Sequence, residues 1–187
     1  MSWGKDRFIR FMKKFLIISG SPRKGNTEFI LNRIYKSIKG RKELILLRNK
    51  NIKHCAGCLY CDKHKKCAVK DDMQEIYKKM TEADVFIIGT PNYFDNVSGL
   101  LKNFIDRTNI FYETDKLKGK KLMTIVVGAG EIKNSKRIGK QALKYFSNAH
   151  GLDFIEAYYF EGLNQQDIEN NPEAIKKINR IIKVLNK

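Results

Sequence analysis

The sequence predicts an α/β fold, a doubly wound sheet of five parallel strands in the order 2-1-3-4-5 with helices on both faces. Three observations carry this. Short, unalternated apolar runs at 15–19 (Phe-Leu-Ile-Ile-Ser), 84–89 (Asp-Val-Phe-Ile-Ile-Gly) and 122–127 read as strands covered on both sides. Segments with helical apolar spacing separate them, and right-handed crossovers then put helices on both faces of a parallel sheet. The first run leads through a glycine loop directly into a helix, which places a ligand site beyond the C-terminal strand ends, near the switch point between strands 1 and 3.

In chain order, residues 1–12 (MSWGKDRFIRFM) are a basic extension that fits no strand or helix template, and 13–187 form one domain. After strand 1 comes Gly20-Ser-Pro-Arg-Lys-Gly-Asn-Thr27, and then Phe29, Ile30, Ile34 and Ile38 mark a helix that stops near Gly40. Strand 2 spans 43–47, and the polar stretch 48–70 holds every cysteine of the chain. Asp71 and Asp72 suit an N-cap, with Gln74 and Glu75 as capping-box partners, for a helix reaching about Ala83. Strand 3 is expected to stop at Pro91 and leave an exposed loop, Thr90 to Phe94. Leu100, Leu101, Phe104, Ile105 and Thr108 mark the next helix. Strand 4, the loop Gly128-Ala-Gly-Glu131, a helix over 136–149, strand 5 over 153–160 and a helix from Pro172 complete the pattern. The last helix shows a stripe of Ile175, Ile178, Ile182 and Leu185.

A chain of 187 residues, 42% of them hydrophobic, is a comfortable single-domain length. No apolar run approaches the roughly 20 residues of a membrane-spanning helix, and no signal-peptide core stands at the N-terminus, so no membrane association and a cytoplasmic location are expected. The net charge of +17 raises nucleic acid as a partner. However, the lysines are scattered through every segment and accompany no nucleic-acid-binding motif, which favours a solvated basic surface.

The loop after strand 1 comes within one residue of the triphosphate pattern G-x4-G-K-[ST], with Asn26 at the lysine position. Without that lysine it suits a single phosphate held by backbone N–H groups, hydroxyls and a helix N-terminus. Ser19, Ser21, Asn26 and Thr27 are short donors, Arg23 adds charge, and Gly25 keeps the backbone close.

These residues resemble the flavodoxin-like, NADPH-dependent FMN reductase superfamily, in which a G-S-P-R-x-G-N-T loop binds the FMN phosphate. Thr90-Pro-Asn-Tyr-Phe94, Val97-Ser-Gly99 and Lys102-x-Phe-Ile-Asp106-Arg107 are similar to its flavin-ring segment and the helix behind. The resemblance implies that Pro91, Asn92, Tyr93 and Phe94 contact the isoalloxazine, with Gly128 and Gly130 on its other border.

Cys55, Cys58, Cys61 and Cys67 form a C-x2-C-x2-C-x5-C loop. Four clustered thiols suit an iron-sulfur cluster or Zn, or stay metal-free, including as a regulatory disulfide. The loop is tighter than the two separated knuckles usual for structural Zn. Four cysteines leave His54 and His64 no ligand role. The motif, followed by Val69-Lys-Asp-Asp-Met73, is similar to the iron-sulfur flavoproteins, and the resemblance implies one [4Fe-4S] cluster on these four cysteines.

The expected function is electron transfer through FMN and the cluster, by an oxidoreductase or electron-transfer protein. The expected donor is ferredoxin or a similar acidic protein, landing on Lys53, Lys63, Lys65 and Lys66. A homodimer or larger assembly is implied by the resemblance. The alternative is an NAD(P)H-dependent FMN or quinone reductase without a cluster.

Overall fold

Apolar runs that bury both strand faces need a layer on each side, and the computed structural model, which describes residues 12–130, 135–136 and 138–187, has both. Strands β1 (Lys14–Ser19), β2 (Arg41–Leu46), β3 (Val85–Pro91), β4 (Lys121–Gly128) and β5 (Asp153–Glu161) are all parallel and lie in the order β2-β1-β3-β4-β5. This is the flavodoxin-like order expected. The helices are α1 (Asn26–Ser37), α2 (Tyr60–His64), α3 (Met73–Glu82), α4 (Gly99–Arg107), α5 (Lys144–Ala149) and α6 (Pro172–Leu185).

Successive strand residues point to opposite faces. Phe15, Ile17, Val85, Ile87, Ile125 and Val127 meet Ile30, Leu31 and Ile34 of α1 and Ile178, Ile181 and Leu185 of α6. Leu16, Ile18, Phe86, Ile88, Leu122 and Val126 meet Met73, Ile76 and Met80 of α3 and Leu101 and Phe104 of α4.

Several boundaries differ from the sequence expectation for identifiable reasons. β3 runs two residues past Gly89 and does stop at Pro91, as expected: Pro91 pairs with Val127 at the strand's last position, where the absent N–H costs nothing, and Asn92 donates to the Val127 carbonyl at 2.7 Å. The capping box at Asp71 to Glu75 does not form. Asp71 does accept from the Met73 N–H at 3.0 Å at the start of α3 while also pairing with Arg107, but Asp72 caps nothing and Gln74 donates to the Val69 carbonyl instead of returning to Asp71. The stripe of α6 is rotated, with Ala174, Ile178, Ile181 and Leu185 buried and Ile175 and Ile182 only partly covered. Within the helix expected at 136–149, Gly139–Leu143 is a π-turn segment leading into α5, and Arg137 lies outside the described residues. Apart from Met12 the basic extension 1–12 lies outside them too, as does Glu131.

Candidate functional site

The backbone between β1 and α1 is shaped by its own side chains. The Ser21 hydroxyl donates to the Arg23 carbonyl at 2.7 Å and accepts from the Arg23 N–H, while the Ser21 N–H reaches Ser19 Oγ at 3.4 Å. Gly25 is extended (φ −171°) and precedes a helix whose N-terminus carries no side-chain cap. The first N–H groups of a helix lack intrahelical partners and, with the helix dipole, favour an anion. Here they open onto a cavity of about 250 Å³ lined by Ser21, Arg23, Gly25, Asn26, Thr27, Pro91, Asn92, Tyr93, Val127, Ala129, Gly162 and Leu163.

Most of the residues read from sequence as cofactor contacts thus share one wall system, from Ser21 through Thr27 on one loop and Pro91 through Tyr93 on another. The other four stand apart. Ser19 is fully buried beneath the loop. Gly128 packs under Asn92 and Ser135, where a Cβ would come within 2.5 Å of Ser135 Oγ, so its neighbours Val127 and Ala129 form the border. Gly130 is exposed and off the wall. Phe94 points to solvent from a tight turn closed by mutual Tyr93–Asn96 backbone bonds, with positive φ at Phe94 (52°) and Asp95 (54°). Such a turn is unusual without Gly or Asn at its centre. The Asn26 amide, though part of the wall, is spent on the protein: its Nδ2 donates to the Asn164 carbonyl at 2.7 Å and its Oδ1 accepts from the buried Ile168 N–H at 3.3 Å. Gly162 and Leu163 also line the cavity, from a loop whose sequence carries no motif.

The cysteine loop is closed at its root by long-range pairs. The N–H groups of Asn51 and Lys53 donate to the carboxylates of Asp72 and Asp71 at 2.8 and 2.9 Å, and Asn103 donates to the Ile52 carbonyl at 2.8 Å. Arg107 and Asp71 form a fully buried, bidentate ion pair at 2.6 and 3.1 Å. Burial opposes the Asp71 charge, but hydrogen bonds from Arg107 and from the Lys53 and Met73 N–H groups outweigh it and hold the carboxyl below its ordinary range. Burial likewise opposes the Arg107 charge, and the Asp71 partner reverses this and raises it. Tyr77 donates from its hydroxyl to the Arg107 carbonyl at 2.6 Å, and burial pushes its pKa up.

All four thiols are free: Cys55 and Cys58 are exposed, and Cys61 and Cys67 are half-buried. The loop leaves the C-terminal strand edge but packs beside the far end of α4. The Cys67 and Cys61 sulfurs meet Arg107 and Asn109, about 13 Å or more along the helix axis from Ser98 at roughly 1.5 Å per residue. No cysteine lines the cavity. Among the described residues no three His, Cys, Asp or Glu side chains converge closely enough to hold a metal ion. The donor set, four unbridged thiols within one loop, is nevertheless that of a soft-metal centre. His54 and His64 are exposed, and His64 stacks on Tyr60 with ring centroids 4.1 Å apart. No helix among the described residues is long and apolar enough to cross a membrane.

Residues 13–180 match the NADPH-dependent FMN reductase family. An iron-sulfur flavoprotein of Methanocaldococcus jannaschii is 31% identical over 90% of this chain and 94% of its own length. Another, from Archaeoglobus fulgidus, is 46% identical over 52% of this chain, and that match spans about half (49%) of the relative's length. The fold is similar to an NAD(P)H:quinone oxidoreductase from Methanothermobacter marburgensis (TM-score 0.75, 12% identity, 94% of this chain and 96% of that one). The chain belongs to the NADPH-dependent FMN reductase family and, within it, to the iron-sulfur flavoproteins.

Proposed function

We propose that this chain is an FMN flavoprotein that passes electrons between its flavin and a [4Fe-4S] cluster on Cys55, Cys58, Cys61 and Cys67, with an acidic protein such as ferredoxin as donor. The family supports the FMN redox role. The observation that carries the fuller reading is the pairing, in one chain, of an uncapped helix N-terminus opening on a cavity with four free thiols in one loop. When bound, flavin exchanges one or two electrons and the cluster one at a time.

The N–H groups at the start of α1 would hold the phosphate, with Arg23 adding charge and the Ser21 hydroxyl, spent on the Arg23 carbonyl, shaping the loop. Pro91, Asn92 and Tyr93 on one side, and Val127 and Ala129 on the other, would flank the ring and exclude water from part of it. Lys53, Lys63, Lys65 and Lys66 are exposed around the thiols and fit an acidic partner. A homodimer belongs to the same reading and is checked by sedimentation.

Anaerobic purification with flavin, iron and sulfide analysis tests it. About four iron and four sulfide per chain beside FMN is the expected result. FMN without iron, persisting after reconstitution, would overturn it in favour of a cluster-free reductase. Cys58→Ser should abolish the iron and spare the flavin.

A further inference from the structure

The two half-buried thiols differ from the two exposed ones in more than depth. Arg107 Nη2 lies 3.5 Å from Cys67 Sγ, and Asn109 Nδ2 lies 3.2 Å from Cys61 Sγ. Both donors sit at one place in the fold, the last residue of α4 and the 3-10 turn that follows it (Thr108–Phe111). Arg107 also spans the loop: Nη1 donates to the Lys53 carbonyl, two residues before Cys55, and Nη2 approaches the Val69 carbonyl, two residues after Cys67. Its side chain has no exposure to solvent, and neither has that of Asp71. Asn109 is shared, donating as well to Asp62 Oδ1 at 3.1 Å, and that carboxylate stands 3.8 Å from Cys61 Sγ.

We propose that Arg107 and Asn109 are positioning residues of the thiolate centre. They fix Cys67 and Cys61 from the protein side and aim N–H groups at their sulfurs, so one half of the ligand set is built before any metal arrives. This rests on the cluster reading above. A buried ion pair is expensive relative to an apolar replacement. At Arg107, spare N–H groups reach both root carbonyls and one sulfur, a use that an apolar residue would not serve. A four-thiolate cluster is anionic, and more so when reduced. N–H donors on two of its sulfurs, one of them from a guanidinium, therefore favour the reduced form and raise the potential. Asp62 opposes this at Cys61, and the Asn109 amide bonded to both groups moderates its charge.

The test compares wild type, Arg107→Lys and Asn109→Leu, each purified anaerobically and reconstituted with ferrous iron and sulfide. FMN, iron and sulfide are counted per chain, and the cluster midpoint is measured by EPR-monitored redox titration. Arg107→Lys keeps a cation opposite Asp71 but cannot reach both carbonyls and the sulfur at once. It is expected to keep FMN and lose at least half of its iron. Asn109→Leu lies outside the ion pair and is expected to keep FMN and iron, with its reduced-to-oxidised ratio falling about tenfold, a downward shift of about 59 mV for one electron. Wild-type iron content and midpoint in both variants would overturn the proposal and leave the cluster reading standing. A wild type that holds FMN but takes up no iron would overturn both.

Discussion

Replacing Asn26 by Ala separates two roles for a residue whose sequence position suggests a phosphate donor. In the structure its amide ties the β1–α1 loop to the segment after β5, donating to the Asn164 carbonyl at 2.7 Å and accepting from the Ile168 N–H at 3.3 Å. Each such bond is worth about 1 kcal/mol, and stranding a buried N–H costs about 1–3 kcal/mol. Ile168 is fully buried, so its N–H has no ready access to water. The gain in helix propensity from Asn to Ala returns at most about 0.7 kcal/mol. The net loss is about 2–3 kcal/mol, or about 4–12 °C in melting temperature for a chain of this size. Thermal unfolding of the flavin-free protein is the decisive assay, because a residue that only touches phosphate leaves the empty protein unchanged. A flavin-free Asn26→Ala protein melting within about 1 °C of wild type would refute the strap.

Further outcomes follow from other contacts. Ser98 Oγ accepts from the Leu101 N–H at 3.1 Å and donates to the Gly20 carbonyl, so Ser98→Ala should cost about 1–3 kcal/mol in urea unfolding and weaken FMN binding; an unchanged flavin affinity would count against that coupling. A Cβ at Gly89 would stand 2.7 Å from Leu31 Cδ1 and 3.1 Å from Thr27 Cγ2, both buried. Gly89→Ala should therefore lose about 1–3 kcal/mol by pushing α1 off the sheet, and a neutral effect would show that Leu31 repacks freely. Burial holds the His150 imidazole below its ordinary pKa of 6.5, only partly offset by a hydrogen bond with the Ala149 backbone. The unfolded chain therefore takes up this proton first, and stability is lost as pH falls from about 6.5 towards the lower folded value. His150→Gln should flatten the fall in urea midpoint as the buffer is taken from neutral to mildly acid, across the ordinary imidazole range; an unaltered slope would assign the effect elsewhere.

What could be read from the chain was whatever leaves a local pattern. Leu16–Ile18 and Phe86–Ile88 announce central strands because both their faces are covered, and the order of the strands follows from the crossovers between them. The β1–α1 loop stands out because its glycines and small donors lie at the offsets that a phosphate cradle would need. Legibility ends where a partner comes from far along the chain. Asp71 has the composition of a helix cap and does accept from the Met73 N–H, but nothing local announces that its carboxylate also pairs with an arginine 36 residues away. Asn26 has the composition of a ligand donor, yet bonds across 138 and 142 residues. Val127, Ala129, Gly162 and Leu163 carry no side chain that names a cofactor, so only the folded backbone brings them to the wall.

The joint between the loops after β1 and β3 has a kinetic consequence. The Gly20 N–H donates to the Gly89 carbonyl at 2.8 Å, and the Gly20 carbonyl accepts from Ser98, which itself caps α4. The sheet, the β1–α1 loop and the loop after β3 are thereby joined into one jaw of the cavity. The opposite jaw is the short segment after Glu161, held by Asn26, Arg23 and the grip of Asp167 on the Leu163 and Asn164 N–H groups. If residues 162–167 act as the door of this cavity, their opening rate, readable by hydrogen exchange at Leu163 and Ile168, will limit cofactor release; release faster than that exchange would show that the segment is not the gate.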